Sequence, residues 1–73
     1  MGDMGKILIA DHEKSFRLVT SESLRREGYA CDVVKDGGNA KKALREGKYD
    51  LLIADLEMPG NSDLELIRAF RKL

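Results

Sequence analysis

"YDLLIADLEMPG", residues 49–60, sets an apolar run between Asp50 and Asp55. Four apolar residues, Leu51 to Ala54, run without interruption into Asp55, and Met58, Pro59 and Gly60 follow as a turn. A short continuous apolar run reads as a strand buried on both faces, which is the habit of parallel sheets covered by helices on either side. "KILIAD", residues 6–11, repeats the pattern and also stops at an aspartate. Two such strands would each deliver a carboxylate at the point where the chain leaves the core.

Between and after these strands the periodicity changes. Residues 15–27 turn polar, with Phe16, Val19 and Leu24 on roughly one side, and Gly28 follows as a terminator, which predicts a helix. "ACDVV", residues 30–34, predicts a strand whose Asp32 leaves one face less buried. "DGGN", residues 36–39, reads as a turn leading into a short helix with Ala40, Ala43 and Leu44 at i, i+3 and i+4, closed by Gly47. Ser62 and Glu65 have capping-box spacing, and Leu66, Ile67, Phe70 and Leu73 mark a third helical face. Residues 1–5 are a polar leader. The order is βαβαβα, with connections long enough to hold crossover helices, so the strands should be parallel and the crossovers right-handed. This is a doubly wound α/β topology.

Composition narrows the function. A chain of 73 residues with one proline and 42% hydrophobic content is one small globular unit rather than a disordered tail. Thirteen basic against thirteen acidic residues give no net charge, so the basic excess of a nucleic-acid-binding module is missing. The clusters at Lys41, Lys42 and Arg45 and at Arg68, Arg71 and Lys72 read as solvated helix faces, without aromatic residues spaced for base stacking. The longest apolar run is far below the roughly 20 residues that span a bilayer, and the start lacks the apolar segment of a signal peptide. We therefore expect no membrane partner and a cytoplasmic location. Gly2 does not complete a myristoylation pattern, because Lys6 stands where Ser or Thr is wanted. Cys31 has no second cysteine to pair with and reads as a small buried side chain. Phe16 and Phe70 are core candidates, while Tyr29 and Tyr49 should close the packing at the amino end of the sheet.

In open parallel sheets, sites form beyond the carboxyl ends of the strands. Asp11 and Asp55 occupy that position, and if the first and third strands are neighbours their backbones lie about 4.8 Å apart, so both carboxylates can face one pocket. Two adjacent anions repel, which raises one pKa or recruits a cation. An oxygen-rich, partly hydrated site suits Mg²⁺. Asp50 begins the same strand and lies roughly 16 Å from Asp55, too far to share the pocket, so it reads as a turn or capping residue. Asp36, at the end of the second strand, would reach only the rim.

Taken together, "KILIADHE" with its following helix, "GYACDVVKDG", and "YDLLIADLEMPG" with "LELI" resemble the N-terminal part of response-regulator receiver domains. The resemblance extends over almost all of residues 6–73, and D-x-x-M-P-G is its most specific element. It implies a flavodoxin-like fold, here its first three strands and helices, with strand order 2-1-3 and helices on both faces. It also implies that Asp55 accepts a phosphoryl group from a histidine kinase or phosphotransfer protein in a two-component system. Mg²⁺ would be held by Asp55, an acidic pair represented here by Asp11, and the backbone carbonyl of Glu57. The module would signal rather than act as an enzyme.

Three departures from the family pattern qualify these expectations. His12 stands where the second acidic residue is usual; it reads as a substituted loop residue facing solvent, the alternative being a ligand that tunes the site toward a transition metal such as Mn²⁺ or Zn²⁺. Glu13 could compensate only if its side chain turned inward. Asp63 replaces a common glycine, and with Ser62 reads as a capping residue. Finally, residues 1–73 hold only the N-terminal portion of a complete receiver, without its last two strands and the Ser or Thr and Lys they carry. The third strand should then present an open edge, which predicts self-association through that edge. The alternative function is a structural or dimerisation module that has lost phosphotransfer.

Overall fold

Three parallel strands and three helices alternate along the chain in a computed structural model that describes residues 4–55, 57–59 and 65–71. The strands are β1 (Lys6–Ala10), β2 (Ala30–Val34) and β3 (Leu51–Ala54); the helices are α1 (Lys14–Arg26), α2 (Gly37–Glu46) and α3 (Glu65–Arg71). The sheet order is β2-β1-β3, with Ile7 in register with Cys31 and Leu51, and Ala10 with Val34 and Ala54. All three strands match their expected boundaries, and the chain adopts the expected flavodoxin-like arrangement.

Central placement explains the composition of β1. Ile7, Leu8, Ile9 and Ala10 are all buried, because this strand is paired on both edges and covered on both faces. Alternation then divides the core in two. Leu8 and Ala10 join Ala40, Leu44, Met58 and Leu66 beneath α2 and α3. Ile7 and Ile9 join Cys31 on the opposite face, where Leu24 and Tyr29 cover them. Phe70 packs partly buried against the first cluster, as expected.

The helix α1 corrects the expected packing. Phe16 and Val19 are 44% and 64% exposed, so neither is core. The stripe turned toward the sheet is instead Arg17, Thr20, Ser21 and Leu24, which follows i, i+3, i+4 and i+7 spacing. Small side chains at 20 and 21 let the helix approach the strands closely. Ser21 is buried, and its hydroxyl is satisfied by donating to the Leu18 carbonyl at 3.2 Å. Phe16, Leu18 and Val19 remain on the outer side.

Helix ends follow local chemistry. After α1, Gly28 adopts φ +102°, its N–H donates to the Arg25 carbonyl, and that of Tyr29 donates to Leu24, a complete Schellman closure. At α2, Asp36 is the N-cap, accepting from the Asn39 N–H at 2.7 Å. That cap draws Gly37 and Gly38 into the first helical turn, so the expected glycine turn is the start of the helix itself. The Ser62–Glu65 capping box, Asp63 and Leu73 lie outside the residues or side chains described.

Amino-end packing is as expected for the tyrosines. The Tyr49 hydroxyl donates to Asp32 at 2.6 Å, and the Lys6 ammonium sits 5.0 Å from the centre of the Tyr49 ring. Asp50 works at the same end, accepting from the Lys6 N–H at 2.8 Å. No described helix is long and apolar enough to cross a membrane.

Candidate functional site

The parallel ladder itself positions the two carboxylates. The Asp11 N–H donates to the Val34 carbonyl at 3.1 Å and the Asp55 N–H to the Ala10 carbonyl at 3.0 Å, so both residues continue strand pairing one step past the core. Each then folds its side chain back on the departing loop. Asp11 Oδ1 accepts from the Glu13 N–H at 2.8 Å, and Asp55 Oδ1 accepts from the Glu57 N–H at 3.0 Å. These turns hold one oxygen of each carboxylate by a backbone donor, which restricts side-chain rotation.

His12 completes the cluster. Its Nδ1 stands 2.9 Å from Asp55 Oδ2 and 3.9 Å from Asp11 Oδ1. The ring is half exposed, in keeping with a loop residue facing solvent, while its Nδ1 is turned toward the two carboxylates. The reason is geometric: Ala10 and Ala54 are in register at the ends of adjacent strands, which brings the residues just past β1 within reach of the Asp55 carboxylate. Ligand atoms of Asp11, His12 and Asp55 all lie within 4.8 Å of one another, close enough to share one ion. Glu13 is exposed and contributes only its N–H.

Carboxylate oxygens suit a hard cation such as Mg²⁺, whereas the imidazole nitrogen suits a borderline transition ion. The donor set therefore fits a divalent cation, but it is not the all-oxygen set that Mg²⁺ prefers.

Supporting contacts fix the two loops. Arg17 donates from its guanidinium to the Asp11 carbonyl at 2.6 Å, tying α1 to the end of β1. Met58, three residues beyond Asp55, is only 2% exposed and sits in the core cluster with Leu44 and Leu66. The Pro59 carbonyl accepts from the Gly37 N–H at 2.7 Å, joining this loop to the start of α2. Sequence reasoning missed the Arg17 and Gly37 contacts; both are backbone-directed, and only the crossover geometry brings the partners together. Asp36 and Asp50 stay out of the cluster, held by Asn39 and Lys6 respectively.

Cys31 is buried far from this end of the sheet, in register with Ile7, and burial pushes its thiol pKa up. It is a packing residue.

Comparison with known proteins agrees with this arrangement. The family model for the response regulator receiver domain matches residues 7–73. The chain is 39% identical over 67 residues to the transcriptional regulatory protein ResD of Bacillus subtilis, covering 92% of this chain and 28% of that protein. It is 36% identical over 70 residues to the uncharacterized transcriptional regulatory protein YkoG of the same organism, covering 96% and 31%. It is 35% identical over 66 residues to the DNA-binding response regulator MtrA of Mycolicibacterium smegmatis, covering 90% and 29%. The chain thus spans less than a third of the length of these relatives. With its sheet order, its paired strand-end aspartates and a family match over residues 7–73, the chain belongs to the response regulator receiver domain family.

Proposed function

We propose that the chain is the phosphoacceptor part of a two-component response regulator, with Asp55 taking a phosphoryl group from a histidine kinase or phosphotransfer protein in the cytoplasm. The observation that carries this reading is Asp55 itself: a 24% exposed carboxylate at the end of β3, with Asp11 beside it. One oxygen is held by the Glu57 N–H, which leaves the carboxylate oriented for attack on phosphorus as the bond to the donor's nitrogen breaks. Asp11, Asp55 and the Glu57 backbone carbonyl are the groups that would hold a divalent cation, Mg²⁺ in the family's usual donor set. Such an ion neutralises charge on the phosphoryl oxygens. Arg17 and Met58 keep the two loops in place.

Incubation with acetyl phosphate and a divalent cation, followed by intact mass measurement, tests the reading. A single phosphate adduct that disappears in Asp55→Asn is expected. No adduct under any cation would remove the phosphoacceptor role and leave the structural alternative.

That alternative has its own support. Among the described residues β3 pairs only with β1, and Leu51 on that strand is 49% exposed. An open edge beside apolar surface favours a second copy pairing strand 3 to strand 3 about a two-fold axis. Sedimentation showing a folded monomer at micromolar concentration would reject this association. This segment carries no net charge to steer it toward DNA.

A further inference from the structure

We propose that His12 is a metal ligand that makes the Asp11–Asp55 site a mixed nitrogen–oxygen centre, selective for a first-row transition ion such as Mn²⁺ or Zn²⁺ over Mg²⁺. The inference rests on the proposed placement of a cation between Asp11 and Asp55, and concerns which cation that is. Three side chains supply donors from two strand ends: Asp11 and His12 after β1, Asp55 after β3. The two distances from His12 Nδ1 to the carboxylates, 2.9 and 3.9 Å, straddle the spacing of roughly 3.4 Å between ligand atoms bound tetrahedrally at ordinary zinc bond lengths. The donor atoms of all three residues lie within 4.8 Å of one another, so side-chain adjustment on the order of an ångström brings them onto one ion. Half of the ring surface is open to solvent, so a further position stays accessible to water or a phosphoryl oxygen.

Ligand chemistry sets the preference. Mg²⁺ binds nitrogen poorly and demands a near-ideal oxygen octahedron, so an imidazole in place of an oxygen donor weakens it. Mn²⁺ and Zn²⁺ accept imidazole with carboxylate, and Zn²⁺ commonly uses three protein ligands with an open fourth position. Competition from elsewhere in the chain is small. Its single thiol, Cys31, is buried at the other end of the sheet, and its single histidine is His12.

That uniqueness makes the test direct. Calorimetric titration of the 73-residue chain with Mg²⁺, Mn²⁺ and Zn²⁺, in the absence of any phosphate donor, gives the affinity ratios. Mn²⁺ and Zn²⁺ should each bind more than tenfold tighter than Mg²⁺, a difference of about 1.4 kcal/mol. His12→Asp should narrow that ratio by strengthening Mg²⁺ and weakening Zn²⁺, while Asp11→Asn weakens all three. Pulsed EPR of the Mn²⁺-loaded wild-type chain should show coupling to one imidazole nitrogen, a readout that needs no variant. An unchanged ratio in His12→Asp, absence of nitrogen coupling, or failure of every ion to bind would each overturn the proposal. Because no phosphoryl transfer is measured, these outcomes are separable from loss of the phosphate adduct.

Discussion

Met58 links the acceptor loop to the core, and replacing it measures that link. The side chain is 2% exposed and packs with Leu8, Ala10, Ala40, Leu44 and Leu66, although it lies only three residues beyond the solvent-facing Asp55. Met58→Ala removes Cγ, Sδ and Cε, and at ~0.8 kcal/mol for each buried methylene-sized group the lost transfer energy is a little over 2 kcal/mol. The cavity left behind adds to this, within the range of about 2–5 kcal/mol seen for such truncations. A domain of this length has roughly 4–11 kcal/mol in total, so the loss is a large fraction of it. With a urea dependence of about 1 kcal/mol per molar for a small domain, the unfolding midpoint should fall by 2 M or more. Met58→Leu, which nearly conserves volume, should cost less than about 1.5 kcal/mol. The exposed neighbour Glu57→Ala serves as the control. If Met58→Ala shifts the midpoint no more than Glu57→Ala does, the side chain is not a core anchor and the coupling of loop to core is refuted.

Two further outcomes follow from the ends of the helix and the sheet. Gly28→Ala should lower the thermal midpoint, because alanine at φ +102° costs about 1–3 kcal/mol and its Cβ would stand 2.9 Å from Met4 Cγ; an unchanged melt would contradict the Schellman closure. The Tyr49 phenol is pushed up to about 12 by burial and by its hydrogen bond to the Asp32 carboxylate, so the folded state favours the neutral form. Its contribution to stability is complete below the ordinary value of 10.0 and is lost as pH rises through about 12. In a Tyr29→Phe background, phenolate absorbance should therefore rise at lower pH when Asp32→Asn is added.

Legibility in the sequence depended on how directly each feature follows from local pattern. The strands were legible to the residue: β1 and β3 carry uninterrupted apolar runs that end at an aspartate, β2 is an apolar stretch broken only by Asp32, and β1 is buried on both faces as its run requires. Asp11 and Asp55 were legible for the same reason: a strand end is defined by the pattern, and the sheet places both ends together. The face of α1 was not. Apolar content suggested Phe16 and Val19, whereas close approach to the sheet selected Thr20 and Ser21, whose buried hydroxyl at 21 is satisfied within the helix. Size at the contact outweighed hydrophobicity, and a single sequence does not state how close a helix must come. Gly37 and Gly38 misled in a similar way, since an aspartate cap can begin a helix through glycines that alone would mark a turn.

His12 shows where pattern reading stops and geometry begins. Its residue type was visible as a departure from the family's acidic pair, but a side chain one step past a strand end can point either way. What brings it near is the neighbouring strand: β3 runs parallel to β1 in register, Ala10 opposite Ala54, so the first residues past both strand ends stand side by side. The imidazole nitrogen stands 2.9 Å from Asp55 Oδ2, so a group brought to that oxygen meets the ring as well. A neutral or cationic ring in this place cannot reproduce the second anionic oxygen donor of an acidic pair. The ring nitrogen stands nearer to Asp55 than to Asp11, so the substitution at position 12 bears first on the carboxylate at the end of β3.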